Sequence, residues 1–281
     1  VVGIRKSDIK FQGKKWFLNN DDKEVQLTFD HEFKKFSLDT LVFKYSKEFI
    51  TLAGDVSGKD NKELHLDFKD VRISSLTSPI DSLKMKGLIN GSLELNQKNG
   101  NYAPTSDFTV SDFEVNDTPL GGDFELVIAG NEDLTKYKVN AQLKDDVQRT
   151  LWANGSVNTA GEQSKINVDF NFKDFNLVAL SPLGGEVLDN IRGFATGEIG
   201  LTGLLVEPNL SGGLIIKDGG LNIPYLNTDF DLAQNSEITV STDLFDFNTI
   251  ELTDTKYGTK GQLSGVIKHK NFGVLGIRIK P

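Results

Sequence analysis

The chain has 281 residues, 25% of them charged and 38% hydrophobic, with a net charge of −9 and no cysteine. These values exclude a disordered chain, a disulfide framework and thiolate chemistry, and no apolar run reaches the ~18–20 residues of a transmembrane helix. The acidic balance argues against nucleic acid as a partner, because that affinity rests on Lys and Arg neutralising phosphates.

Period-two alternation dominates from the N-terminus onward. Val25, Leu27 and Phe29 alternate with Gln26 and Thr28, and Leu64, Leu66 and Phe68 with His65 and Asp67. Phe124, Leu126 and Ile128 form a third set, and Tyr137, Val139, Ala141 and Leu143 a fourth. Ile166, Val168, Phe170 and Phe172 alternate with Asn167, Asp169 and Asn171. Successive strand side chains face opposite ways, so each set predicts a strand with one apolar and one wet face, as in an antiparallel sheet covered on a single side. Turn chemistry separates the runs at Lys98-Asn99-Gly100-Asn101, Gly121-Gly122, Asn158-Thr159-Ala160-Gly161 and Asp218-Gly219-Gly220. Helix is predicted only in short segments after Pro79 and Pro182, with Val187, Leu188 and Ile191 at helical spacing and the preceding serines as caps. Val1 in place of Met and the alternating stretch 275–280 read as cuts through a longer chain.

The chain also repeats itself at about one hundred residues. Phe68-Lys69-Asp70-Val71 returns as Phe172-Lys173-Asp174-Phe175, and Gly87, Gly91, Leu93 and Leu95 return as Gly193, Gly197, Ile199 and Leu201. Asp112 matches Asp218, and Asp123-Phe124-Glu125-Leu126 matches Asp229-Phe230-Asp231-Leu232. The expected organisation is an N-terminal β segment over 1–63, repeats over 64–167 and 168–232, and further strands over 233–281. Repeats ending in open strands stack into one long sheet, whose apolar face must be covered by closure, by pairing or by something apolar.

Site chemistry is sparse. His31, His65 and His269 show no metal-ligand spacing and read as surface residues. The acidic pairs Asp229/Asp231, Asp243/Asp246 and Asp145/Asp146 lack calcium-loop spacing and read as solvated faces. With no nucleophile elbow and no phosphate-binding loop, the expectation is a non-enzymatic chain with no cofactor and no metal.

Over residues 165–275 a more specific pattern emerges. Ile191-Arg192-Gly193-Phe194-Ala195-Thr196-Gly197 leads into Leu201-Thr202-Gly203, then Glu207-Pro208-Asn209-Leu210-Ser211-Gly212, Asp218-Gly219-Gly220-Leu221 and Ile223-Pro224-Tyr225. This succession resembles the TamB family, the inner-membrane subunit of the translocation and assembly module within the AsmA-like group, in a form resembling those of Bacteroidota. The resemblance is fainter over 60–130. It implies a periplasmic β-taco, an elongated all-β sheet curled into a U-shaped groove with an apolar interior. It also implies phospholipid acyl chains as cargo between inner and outer membrane, a membrane anchor outside this sequence, and a TamA-like outer-membrane barrel as partner. On that reading Leu66, Phe68, Leu93, Leu95, Phe124, Leu126, Val139, Leu143, Val168, Phe170, Phe172, Ile199, Leu201, Leu214, Ile216, Phe230 and Leu232 line one channel, each on the apolar parity of its strand. Two alternatives stand beside it: a scaffold for outer-membrane protein assembly acting through strand addition, and a surface β-sandwich binding module whose core the same phenylalanines fill.

Overall fold

The computed structural model describes residues 1–18, 24–76, 84–120, 122–144, 149–184, 187–270 and 273–279. The first strands are β1 (Val2–Ile4), β2 (Ser7–Phe11), β3 (Lys14–Leu18), β4 (Val25–Phe29), β5 (Lys35–Tyr45), β6 (Glu48–Ser57) and β7 (Asn61–Arg72). The middle of the chain forms β8 (Met85–Lys98), β9 (Asn101–Val115), β10 (Thr118–Pro119), β11 (Asp123–Gly130), β12 (Lys136–Lys144), β13 (Arg149–Asn158), β14 (Lys165–Asn176), β15 (Asp189–Leu204) and β16 (Glu207–Ile223). After these come β17 (Thr228–Leu232), β18 (Ser236–Ser241), β19 (Leu244–Asp246), β20 (Ile250–Asp254), β21 (Lys260–Leu263), β22 (Gly265–Lys270) and β23 (Gly273–Ile279). All belong to one large antiparallel sheet that is not closed into a barrel.

From β5 to β16 the sheet is a meander in which each long strand pairs with the next, β10 being a two-residue extension of the β9 turn. Local chemistry sets these reversals. Between β8 and β9, Asn99 (φ 51) and Gly100 (φ 85) adopt the left-handed conformations that a two-residue hairpin turn requires.

The glycine and aspartate landmarks of the repeat are irregularities inside strands. Asp70 and Asp174 have φ of 52 and 47, and the register shifts beside each, between Phe68 and Val71 and between Phe172 and Phe175. Each bulge leaves a backbone N–H without a ladder partner. The Asp70 N–H donates to Asn90 Oδ1 at 3.0 Å and the Asp174 N–H to Thr196 Oγ1 at 3.0 Å. Asn90 and Thr196 immediately precede Gly91 and Gly197. A Cβ on either glycine would collide with the backbone carbonyl of the facing strand, Asp107 and Gly213 respectively. Asp112 and Asp218 are likewise left-handed, opposite Gly87 and Gly193.

Two local expectations are corrected. Asp218-Gly219-Gly220 is no chain reversal: it lies within β16, where Asp218 (φ 49) makes a bulge and the strand continues. The second helical turn also begins before its proline, as a 3₁₀ segment over Leu177–Gly184; a short turn forms at Ile73–Leu76, while the segment expected after Pro79 lies outside the described residues. In the second, Asn176 Oδ1 accepts the Val178 N–H at 3.0 Å and starts the turn at the end of β14, whereas Ser181 accepts from the Ile191 N–H at 2.9 Å. Ile191 is a residue of β15. Pro79 falls outside the described residues, as do Gly121 and the pair Asp145/Asp146.

Both turns reach back across the strand ends. Asn116, just beyond β9, donates from Nδ2 to the Ala179 carbonyl at 3.1 Å, although β11, β12 and β13 lie between β9 and β14. Lys14 of β3 donates from Nζ to the Ser74 carbonyl at 2.8 Å and to Ser75 Oγ at 2.7 Å, with β5 and β6 intervening before β7. Beside this second strap Trp16 is buried, and Glu48 is buried where Arg72 binds it through Nε, Nη2 and its backbone N–H.

The sheet forks at both ends. At the C-terminal end β16 pairs through 220–223 with β17 and through 211–216 with β18. One branch continues to β20 and β21, the other to β19, β22 and β23. Leu221, Leu232, Ile250, Leu252, Leu263, Phe247 and Ile267 pack into one buried cluster drawn from both branches. At the N-terminal end β5 pairs through 36–38 with β4, which carries β1, and through 43–44 with β3, which carries β2.

Candidate functional site

Register, more than strand parity alone, defines the surface of interest. A central row of directly facing residues runs Leu18, Phe43, Ile50, Phe68, Gly91, Phe108, Leu126, Ala141, Ala153, Phe170, Ile199, Gly212, Val240, Phe245 and Ile267. Every position is apolar, alanine or glycine. On one side lies the row Val71, Ile89, Val110, Phe124, Leu143, Leu151, Phe172, Gly197, Leu214 and Ile238. On the other lies Leu52, Leu66, Leu93, Ser106, Ile128, Val139, Gly155, Val168, Leu201 and Leu210, with Ser106 the single hydroxyl.

The opposite face has a different chemistry. The corresponding row there reads Thr51, Asp67, Ser92, Asp107, Val127, Asn140, Asn154, Asp169, Gly200, Ser211 and Ser241. Its polar side chains are exposed or half-buried, and Thr51 donates from Oγ1 to Asp67 Oδ2 at 3.2 Å. His65 sits on this face beside Asp67 (3.0 Å) and Glu94 (3.5 Å). Among the described residues no group of three or more His, Cys, Asp or Glu side chains is placed to hold a metal ion. His269 is on β22, with its side chain outside the described set.

Most of the sequence-predicted lining falls in these rows. Phe68, Leu126, Phe170 and Ile199 lie in the central row; Phe124, Leu143, Phe172 and Leu214 in the second; Leu66, Leu93, Val139, Val168 and Leu201 in the third. Leu95 stands one pair further out, between Leu64 and Pro104. Exposure along the face is uneven: Leu93 is 38% exposed, whereas Leu143 and Val168 are 1% and 4%. Ile216 faces Ala195 and is buried. Leu232 is part of the closed C-terminal cluster and Phe230 packs against it, so both serve the fork.

Several residues of the face escaped the sequence reading. Phe108 and Val110 alternate visibly in β9, and Phe108 packs edge-on to Phe68 with centroids 5.4 Å apart. Ile50 and Leu52 were masked by Phe49, which lies on the other face under the Lys44 ammonium, 5.1 Å from its ring centroid.

The acidic pair Asp229/Asp231 has a specific partner. Arg192 donates from Nη1 to Asp229 Oδ1 at 2.9 Å, and from Nη2 to Asp229 Oδ2 at 3.0 Å and Asp231 Oδ1 at 2.6 Å. Partial burial works against ionisation of Asp229, but the hydrogen bonds from Arg192, Asn190 and Thr255 and the Arg192 charge together outweigh it and hold the carboxyl below its ordinary range. The cluster ties β15 to β17 at the fork; a Cβ on Gly220 would run into the Arg192 guanidinium.

The arrangement offers apolar contact area in quantity. Comparison with protein-family models, curated proteins and solved structures found no match to this chain.

Proposed function

We propose that the chain is a segment of a TamB-like, bridge-like lipid-transfer protein, in which the sheet curls into a U and phospholipid acyl chains run along its apolar face. The carrying observation is the central row, which passes from β3 to β18 without a polar side chain before Phe245 and Ile267 join the buried C-terminal cluster. Acyl chains need a lining of this kind, since each buried CH₂ contributes about 0.8 kcal/mol and an interrupting polar group must be desolvated. The rows run across the strands, so a chain lying along them passes from repeat to repeat.

Two further features support a curled sheet. In a flat sheet β9 and β14 would stand about 19 Å apart, at ~4.8 Å per strand, yet Asn116 and Ala179 hydrogen-bond directly. Leu143 and Val168 are almost completely buried, although the strands among the described residues all belong to one sheet. Within this reading the protein works in the periplasm of a Gram-negative bacterium, supports outer-membrane biogenesis and catalyses no reaction.

The test is a photo-crosslinking residue in cells. At Phe170, in the central row, it captures phospholipid; at Lys173, exposed on β14, it does not. Equal labelling at both positions, or none at either in an active protein, defeats the conduit in favour of an assembly scaffold.

A further inference from the structure

The apolar face has an edge at each end of the strands, and the two edges differ. The turns at Ile73–Leu76 and Leu177–Gly184 stand at one edge, where β7 and β14 end. At the other, where β7 begins, adjacent hairpins touch tip to tip: the Gly100 N–H donates to the Asp60 carbonyl and the Tyr102 N–H to the Glu132 carbonyl, both at 2.9 Å. There the apolar face acquires a cation. Lys62, Gln97 and Tyr102 face one another directly on β7, β8 and β9, one pair beyond Leu64, Leu95 and Pro104.

The Lys62 ammonium donates to Gln97 Oε1 at 2.6 Å, to Tyr102 Oη at 3.2 Å and to the Lys59 carbonyl at 3.0 Å, and stands 5.4 Å from the Tyr102 ring centroid. Gln97 is 8% exposed, and its Nε2 donates to the Gly100 carbonyl at 3.0 Å, which turns the amide oxygen toward the ammonium. A lysine that merely snorkels carries its charge out into water; here a buried amide holds it over the face. Every acceptor is neutral. Among the described residues no carboxylate oxygen lies within 4.0 Å of this nitrogen, and the neighbouring Asp55 and Glu63 stand on the opposite face. The fold does not require such a tie. The repeat carries Lys62, Gln97 and Tyr102 onto Ile166, Gly203 and Pro208, which also face one another and join their hairpins without one.

We infer that Lys62, Gln97 and Tyr102 form a headgroup subsite at the lip of the groove, where the ammonium takes the phosphate of a phospholipid whose acyl chains start at Leu64, Leu95 and Pro104. The role rests on the lipid-handling reading and adds the class of lipid: one that bears a phosphate, in preference to a neutral diacylglycerol. A phosphate oxygen replaces the Lys59 carbonyl, the acceptor that lies in the turn. The Tyr102 hydroxyl accepts from Lys62 and keeps its own hydrogen to donate to a second phosphate oxygen. Bonds between an ammonium and a phosphate are short and strong, and half-burial of Lys62 beside the Tyr102 ring reduces competition from water. One pair inward the lining is apolar, so the boundary between headgroup and acyl chain falls between Lys62 and Leu64.

The experiment is calorimetric titration of the full 281-residue chain with dihexanoylphosphatidylglycerol, with dihexanoylglycerol, which has the same acyl chains and no phosphate, and with inorganic phosphate. The phospholipid should bind at least about tenfold more tightly than the diacylglycerol, the value of one hydrogen bond to a charged group. Lys62→Met keeps the apolar stem; it should remove that difference and leave diacylglycerol affinity at the wild-type level, which also reports an intact groove. Lys62→Arg should retain the preference. Lys98→Met, an exposed lysine of the opposite face at the same hairpin end, should change nothing. A preference that survives in Lys62→Met, loss of both lipids in that variant, or the same loss in Lys98→Met would each overturn the assignment. Inorganic phosphate binding as tightly as the phospholipid would overturn it too, by making the site one for a free anion. If the wild-type chain binds both lipids alike, the conduit stands and the headgroup subsite falls; if it binds neither, both fall.

Discussion

Replacing Phe170 by Asp separates the stability of the sheet from its capacity for lipid. Phe170 is half-buried in the central row between Ala153 and Ile199. A fully buried Phe contributes about 1.5–3 kcal/mol, so half-burial puts the loss of folding stability at about 1 kcal/mol. In the empty protein the new carboxylate still reaches water from that face. With acyl chains laid over it the same carboxylate must be desolvated, at a cost of at least about 3 kcal/mol, or roughly a hundredfold in occupancy. Phospholipid measured per chain after gentle extraction should therefore fall close to background, while the thermal melting curve moves by only a few degrees. Lys173→Glu should leave both quantities unchanged. A Phe170→Asp protein that is folded and carries wild-type amounts of phospholipid would refute the reasoning outright.

Other expectations follow from the packing. Gly91→Val forces a Cβ into the Asp107 carbonyl at φ 134, and should cost about 2–5 kcal/mol by chemical denaturation. Glu48→Gln removes the buried carboxylate that binds Arg72, whose side chain is 48% exposed; with that screening the loss should be about 2 kcal/mol, read as a lower denaturant midpoint. Arg192→Met should lower stability by about 1–2 kcal/mol and change its pH dependence. Because the folded state holds the Asp229 carboxyl below its unfolded range, its contribution is present above that range and is lost as pH falls through the folded-state value. In the Arg192 variant the acid side of the stability profile should flatten; an unchanged profile would remove Asp229 as its source.

Legibility in the sequence tracked the range of the interaction. Val168, Phe170 and Phe172 could be placed on one face because alternation is a local property of the strand. Asp218-Gly219-Gly220 was misleading for an equally local reason: left-handed aspartate and adjacent glycines suit a reversal and a bulge alike, and only the pairing of β16 with both β17 and β18 decides between them. The turn expected after Pro182 starts earlier because Asn176 accepts the Val178 N–H, a signal weaker to read than proline. Leu232 and Phe230 have the same strand pattern as Leu126 and Phe124, yet the fork sends them into a closed cluster. Trp16, which no alternating run marked out, is buried beside Tyr45 at 5.7 Å. Fold class was thus open to reading, whereas the destination of equivalent strands depended on partners far along the chain.

The contrast between meander and fork has a consequence for how the chain acquires its structure. From β5 to β16 every new strand adds to the one just completed, so ordering can advance along the chain with each loop closure short and its entropic cost small. The C-terminal fork obeys another rule: β18 must return to β16 past β17, β20 to β17, and β22 to β19 before Leu252, Leu263 and Ile267 can bury one another. Its contacts reward the chain only when several are made together. Hydrogen exchange during refolding should therefore find the long hairpins protected early and the fork protected in a single later step, so that a chain emerging N-terminus first exposes its extended face before its far end is sealed.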